Sequence, residues 1–322
     1  MKKNILITGG FGLLGQSLSG NLDKKKFKIY VLDKIKNKKR NKFLYKKNLN
    51  IIHGDFNDKD FILKIIKNKK IKIIFHTGAV TQVLQSLKNP SETYQTNIMG
   101  TLNILESIKE IDKNIIFIYS SSDKAYGELT SRNYLESDNL NSIYPYDLSK
   151  SCSDLICQSY SKVYDLRVAI VRCGNLYGPG DFNFKRIVPE TIISCIKQKS
   201  LTIRSSGKLI RDYLFIGDAV QAYILIMNKL LINKKKNMLI YNVGSKYNLS
   251  VIQLVKLILK LMNKSNLKPK ILNFSKREIQ FQKLNFNKIR KELKWKQTVS
   301  MIVGLKLTIE WYIKNYHFIK KN

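Results

Sequence analysis

The chain has 322 residues, 44% of them hydrophobic, which supplies a sizeable core and argues against a disordered chain. Lys and Arg number 58 against 23 Asp and Glu, a formal net charge of +35, yet only nine are Arg and the lysines run through the whole chain. A specific nucleic-acid partner calls for clustered basic residues on a recognisable module, which this pattern lacks; a diffusely basic surface still draws small anions.

In chain order, apolar β-branched runs fall at residues 5–8, 28–32, 50–53, 71–76, 115–120 and 167–171, separated by helix-length stretches at 12–22, 58–67, 91–111 and 146–164. This alternation predicts right-handed βαβ units and an α/β fold with a doubly wound parallel sheet, the Rossmann arrangement. Residues 34–47, rich in Lys and Asn, read as a solvated loop. After Asn175 the rhythm changes, with Tyr177-Gly178-Pro179-Gly180 and then short mixed segments at 186–197, 201–204, 218–231, 251–262 and 271–274. A closing amphipathic helix is expected over 302–314 and a frayed tail from His317. We therefore expect a large domain over residues 1–175 and a smaller mixed α/β lobe over 176–322, with some chain crossing back.

No run reaches the roughly 18 apolar residues of a membrane span. The opening MKKNILITGG has too short an apolar core for a signal peptide. Cys152, Cys157, Cys173 and Cys195 show no CxxC or His spacing, so reduced core cysteines, a cytoplasmic setting and no structural metal are expected.

The first strand runs directly into Thr8-Gly9-Gly10-Phe11-Gly12-Leu13-Leu14-Gly15. Glycines at 9, 12 and 15 suit a tight turn, close approach of a pyrophosphate and close helix packing, with the next helix pointing its N-terminal N–H groups at the phosphates. The second strand ends in Asp33, a carboxylate suited to the ribose hydroxyls of NAD; Lys34 and Lys36 leave NADP as the less favoured cofactor. Asp55, after the third strand, is suited to the adenine amine or to a helix cap. His76, ending the fourth, reads as a positioning residue.

Two further features carry chemistry. The strand at 115–120 ends in Ser120-Ser121-Ser122-Asp123-Lys124-Ala125-Tyr126-Gly127, placing an acid beside a base at a strand tip. Tyr146 and Lys150 stand one helical turn apart, where an ammonium is expected to pull the phenol pKa down towards a useful base.

With the glycine motif, these residues resemble the extended short-chain dehydrogenase/reductase (NAD-dependent epimerase/dehydratase) family. The resemblance spans nearly the whole chain, including Asn97-Ile98-Met99-Gly100-Thr101, Arg172-Cys173-Gly174-Asn175-Leu176-Tyr177-Gly178-Pro179 and Arg211-Asp212-Tyr213-Leu214-Phe215-Ile216-Gly217-Asp218. It implies cofactor contacts from Gly9, Phe11, Gly12, Leu14, Gly15, Asp33, Asp55, Asn97, Tyr146 and Lys150. It implies a nucleotide-diphosphate sugar as partner, held by Ser122, Asn175, Arg211 and Arg186, and a homodimer through helices 91–111 and 146–164. The Ser122-Asp123-Lys124 stretch is similar to the Thr-Asp-Lys of dehydratases of the CDP-glucose 4,6-dehydratase type. There Tyr146 would take the sugar O4 proton, Lys124 the C5 proton, and Asp123 would protonate the departing C6 hydroxyl. Ser122 stands where Thr is commoner, and Gly127-Glu128 looks epimerase-like. Three readings stay open: a nucleotide-sugar 4,6-dehydratase, a 4-epimerase or reductase using Ser122, Tyr146 and Lys150 alone, and an idle cofactor-binding regulator of a polyanion. In the second, Asp123 and Lys124 would be a solvent-facing ion pair.

Overall fold

A computed structural model describes residues 2–34, 49–128, 132–233, 238–273 and 279–320. The loop expected at 34–47 lies outside the described residues except for Lys34. Seven strands form one parallel sheet: β1 (Lys3–Thr8), β2 (Phe27–Asp33), β3 (Asn50–His53), β4 (Ile71–His76), β5 (Ile116–Ser122), β6 (Arg167–Cys173) and, late in the chain, a strand at Met238–Val243. That last strand, numbered β10 because three short ones precede it, stands beside β6, so the order is β10-β6-β5-β4-β1-β2-β3.

The pleat explains the layers. Ile5 and Ile7 of β1 join Ile29, Val31, Phe75 and Ile118 on one face, under helices Leu13–Asn21 and Ile216–Ile232. Leu6 joins Leu32, Ile74, Phe117 and Tyr119 on the other, under helices Lys59–Asn68, Gly100–Ile111 and Pro145–Tyr164. Both faces are covered, which is why these strands are apolar throughout rather than alternating.

Outside the large sheet lie β7 (Asn175–Tyr177), β8 (Thr202–Ile203), β9 (Ile210–Phe215), β11 (Asn248–Ser250) and β12 (Lys270–Ile271). They form a sheet ordered β11-β9-β7 and a pair β12-β8. Helices Ile187–Ile196 and Val251–Leu261 pack there around Cys195, Leu201, Ile203, Val255 and Leu259. Among the described residues no helix is long and apolar enough to cross a membrane, and no three His, Cys, Asp or Glu side chains are placed to hold a metal.

Four expectations are corrected in detail. The helix expected from 91 to 111 is broken: Pro90–Tyr94, a wider π turn at Gln95–Met99, then Gly100–Ile111. The wide turn accommodates Asn97 pointing inward, where its side chain bonds Val80 and Ser149. The strand expected at 271–274 pairs only at Lys270 and Ile271 with β8, and Phe274 lies outside the described residues. The helix expected to begin at Gly12 starts at Leu13, with Gly12 as its cap. The closing helix runs from Met301 to Lys320, past the expected fraying point, because Ile319 is buried in the main core.

One charged contact ties several elements together. Arg172 on β6 and Asp154 on helix Pro145–Tyr164 are 1% and 0% exposed and bond through two guanidinium nitrogens, each 2.9 Å from a carboxylate oxygen. Ser121 of β5 donates to the same carboxylate at 2.7 Å. Arg172 also donates to the Tyr126 hydroxyl and the Glu136 carbonyl. Removing one member leaves the other charge buried and alone. Asp154→Ala is expected to cost about 3–5 kcal/mol of unfolding free energy, read by urea denaturation; a loss under 1 kcal/mol would refute the account.

Candidate active site

The glycine loop is built around two close approaches and one opening. Gly9 takes φ +63°, and a Cβ there would lie 2.4 Å from the Gly78 Cα. A Cβ on Gly15 would lie 2.6 Å from the Gly9 carbonyl. Gly12 is different: the nearest atom to its would-be Cβ is the Gly9 carbonyl at 3.2 Å, and it caps helix Leu13–Asn21 with no side-chain bond. Gly9 and Gly15 are therefore required by the fold, whereas Gly12 leaves bare backbone at an uncapped helix N-terminus, a fit for a pyrophosphate. Asp33, 8% exposed, accepts the Phe11 N–H at 2.9 Å, so the carboxylate expected to face a ribose also holds the loop. Leu14 is buried beneath the loop, in the core cluster.

Asp55 accepts the Asn57 N–H at 3.0 Å, while the helix cap itself is Asp58. His76 is 1% exposed, with Nδ1 2.6 Å from the Thr8 hydroxyl and Nε2 3.1 Å from that of Thr101. Burial, and then the Lys150 ammonium, pushes its pKa down to about 3, so the ring is a neutral spacer between β1, β4 and helix Gly100–Ile111. Asn97 spends its amide on the Val80 N–H (2.8 Å), the Val80 carbonyl (3.1 Å) and Ser149 (2.8 Å), holding the loop after β4 to helix Pro145–Tyr164.

The strand tip closes into a single 3-10 turn, Asp123–Tyr126, with both charged residues inside: Asp123 is 2% and Lys124 8% exposed. A solvent-facing ion pair is thereby ruled out. The Ser122 hydroxyl donates to Asp123 Oδ1 at 2.9 Å and accepts the Lys124 N–H at 3.2 Å. Asp123 Oδ2 is buried with no partner among the described residues. Burial raises the Asp123 pKa against the opposing pull of Lys124, Ser122 and Arg211. A carboxyl so placed holds its proton more tightly than one in water. The Lys124 ammonium donates to Gln282 Oε1 at 3.2 Å.

Tyr146 and Lys150 are both buried, and Ser122 is within hydrogen-bond reach of the Tyr146 phenol. The expected lowering of the phenol is not found. Burial pushes its pKa up, Asp147 and Asp123 add to the rise, and Arg186 opposes it. Lys150 instead donates to the Ser120 carbonyl at 2.7 Å and sits 4.9 Å from the Tyr119 ring centre. Burial pulls its own pKa down to about 8. Spacing puts the two side chains on one face, but desolvation outweighs their mutual effect.

The small lobe brings up the remaining residues. Arg211 is 5% exposed, donates to the Ile210 and Ile279 carbonyls, and acts electrostatically on Asp123. Asn175 begins β7 with its Nδ2 buried and unpartnered among the described residues. Arg186 pairs with Asp181 at 3.3 Å, and its field reaches Tyr146. Two contributions escape a reading of the sequence. Gln282 meets Lys124 from 158 residues away. Ser142 and Ser151 both donate to the Ala125 carbonyl, stapling the 3-10 turn to helix Pro145–Tyr164. Neither has a local sequence signal.

A dinucleotide loop opening a doubly wound sheet, with a buried Tyr-x-x-x-Lys helix against a serine-tipped strand, defines an extended short-chain dehydrogenase/reductase. Comparison narrows this: residues 5–244 match the NAD dependent epimerase/dehydratase family, and the chain belongs to it. The human (Homo sapiens) dTDP-D-glucose 4,6-dehydratase is 28% identical over 334 residues, spanning 98% of this chain and 91% of that protein. The structure resembles the dTDP-glucose 4,6-dehydratase of Bacillus anthracis in complex with NAD, at TM-score 0.87 and 25% identity over 99% of each chain. It resembles equally the UDP-glucose 4-epimerase of Thermotoga maritima with UDP-glucose, at TM-score 0.87 and 26% identity over 97% of this chain and 99% of that one.

His76 makes a prediction about pH. An unfolded histidine titrates near 6.5, whereas the folded one resists its proton down to about 3. Its contribution to stability is full above about pH 6.5 and is lost as pH falls from there towards 3, by up to about 1.4 kcal/mol per unit. Melting temperatures of wild type and His76→Asn should converge as pH drops through this window; a constant gap would refute the assignment.

Proposed function

We propose that this chain is an NAD-dependent nucleotide-sugar 4,6-dehydratase. The observation that carries the reading is the enclosure of Asp123 and Lys124 together, beside Ser122 and Tyr146, at the C-terminal end of β5. An epimerase has no use for that buried acid and base; an elimination needs both.

NAD, when bound, supplies an acceptor for the C4 hydrogen and later returns it to C6. Support for it comes from the bare Gly12 backbone, from Asp33 beneath the loop, and from the NAD bound in the Bacillus anthracis relative. Ser122 and Tyr146 grip the sugar O4, and Tyr146 takes its proton as C4 becomes a ketone. Lys150, drawn down towards about 8 by burial, would hold the nicotinamide ribose. The ketone acidifies C5. Lys124 removes the C5 proton and Asp123 donates its own to the C6 hydroxyl, which leaves as water with its C–O electron pair. Lys124 would then give a proton back at C5, and with the C4 hydrogen restored at C6 the product would be a 4-keto-6-deoxy sugar. Asn175, Arg211 and Arg186 serve the nucleotide diphosphate. We propose further that Asp55 faces the adenine and that Asn97 positions Ser149 and the catalytic helix. A homodimer over residues 91–111 and 146–164 has support in exposed Met99, Leu155 and Val163. The four cysteines, free in the structure, suit a reducing cytoplasm.

For the substrate, the Ser-Asp-Lys pattern points to CDP-glucose, and the names of the relatives point to dTDP-glucose and UDP-glucose. Incubation with CDP-, dTDP-, UDP- and GDP-glucose in deuterated water decides. Loss of water with deuterium at C5 is expected for one of them. An isomer of unchanged mass without deuterium would make the chain an epimerase. Asp123→Asn and Lys124→Met should still reduce NAD while product formation falls at least about 100-fold. Gly12→Ala should weaken NAD binding at least about 10-fold with only a small fall in melting temperature, because the one atom near the added Cβ is the Gly9 carbonyl at 3.2 Å; calorimetric titration showing wild-type affinity would refute the cofactor site.

A further inference from the structure

We infer that Gln282 is the positioning residue for Lys124, so that the small lobe sets the geometry of the elimination step. The inference rests on the dehydratase reading above.

The contact is specific and buried. Gln282 is 0% exposed, and its Oε1 takes one N–H of the Lys124 ammonium at 3.2 Å. Its Nε2 is buried with no partner among the described residues. A buried amide spends its two ends on neighbours unless something holds it in place for another purpose. The backbone holds it. The Gln282 N–H donates to the Ile210 carbonyl at 3.2 Å, and the Ile210 N–H donates to the Gln280 carbonyl at 3.0 Å. Two residues on, the Leu284 N–H donates to Asp212 Oδ2 at 3.3 Å. The segment carrying Gln282 is thus laid along β9, beside Arg211, which itself bonds the Ile279 carbonyl at 2.7 Å.

The same segment grips the far end of the catalytic turn. Tyr134 exchanges backbone bonds with it, donating to the Lys283 carbonyl and accepting from the Asn285 N–H. Its ring stacks on Tyr126 with centres 4.7 Å apart and planes within 8°. The 3-10 turn Asp123–Tyr126 is therefore fixed at two points by one segment: at Lys124 through the Gln282 side chain, at Tyr126 through the Tyr134 ring that the segment holds.

The residue type matters as much as the place. A base that must shed and regain a proton needs a partner that orients the amine in both states. A carboxylate at this point would favour the ammonium and hold its proton. An amide oxygen orients it without that charge, and its NH2 group offers a donor to the neutral amine.

The test compares Gln282→Met, which keeps length and loses the acceptor, with Gln282→Glu, which keeps the acceptor and adds charge. C4 oxidation is read as reduced cofactor in a single turnover, and C5 proton loss as deuterium uptake, with the nucleotide sugar that the wild type dehydrates. In Gln282→Met, C5 proton loss should fall about 10- to 100-fold while KM and C4 oxidation stay within about threefold. In Gln282→Glu, the rise of elimination with pH should shift upward by about one unit or more. The charged and titratable groups around the pair are Asp123 on the same turn, Tyr146 on helix Pro145–Tyr164, Arg211 and Asp212 on β9, and Lys283 beside Gln282, and all are kept in both variants. If Gln282→Met does not fold, the pH profile of Gln282→Glu decides alone. Unchanged elimination in the Met variant, an equal fall in both steps, or a Glu profile superimposed on the wild type would overturn the assignment. A wild type that turns over sugar without losing water would overturn the dehydratase reading with it, and that outcome is seen before any variant is made.

Discussion

The guanidinium of Arg172 is the fixed point of this molecule. It stands near the C-terminal end of β6, buried between β5 and β10, and the carboxylate of Asp154 closes on it through a two-pronged bond that only arginine can make. Asp154 lies one turn beyond Lys150 and two beyond Tyr146, so the pair sets the rotation of the whole helix face that carries the catalytic side chains. The remaining amine of Arg172 reaches Tyr126, at the end of the turn that carries Asp123 and Lys124. One buried cation thus registers both halves of the site against the sheet, and its desolvation is offset because every neighbour is itself hydrogen-bonded.

Around that anchor, burial disfavours the charged form of four groups. It raises Asp123, raises Tyr146, lowers Lys150 to about 8 and lowers His76 to about 3. In each case the charged form is disfavoured, which brings Asp123 and Lys150 closer to exchanging protons near neutral pH. His76 shows the limit of this effect, since it is enclosed so completely that it has left the chemistry and serves as packing. Asp212, well above the usual carboxylate range through burial and then the field of Asp123, gives its oxygens to the Ser245 and Leu284 N–H groups.

The sheet, the glycine loop and the Tyr146–Lys150 pair could be read from the sequence because each rests on local periodicity or spacing. The apolar runs of β1, β4, β5 and β6 announce strands covered on both faces. The glycines announce a turn and a close approach, although not which glycine serves which; only the geometry separates Gly12 from Gly9 and Gly15. What could not be read is what the chain brings together from afar. Gln282 meets Lys124 across most of the second half of the chain, and Ser142 and Ser151 converge on the Ala125 carbonyl. The pKa of Tyr146 lies beyond the sequence for a related reason: spacing names the neighbour on the helix, but desolvation depends on everything else that packs against it.

The π turn at Gln95–Met99 gives this region an unusual relation to chain length. Each residue added to or taken from a helix rotates all that follows by about 100°. The turn holds one residue more than a regular helix would, and the inward aim of Asn97 and the reach of Thr101 to His76 depend on that surplus. Shortening the chain there by a single residue would make the helix more regular and the protein less so, with Asn97 swung off Val80 and Thr101 off the imidazole. Side-chain substitutions on the outer face of this stretch leave the phase untouched. The segment is therefore permissive in composition and strict in length, the opposite of a surface loop.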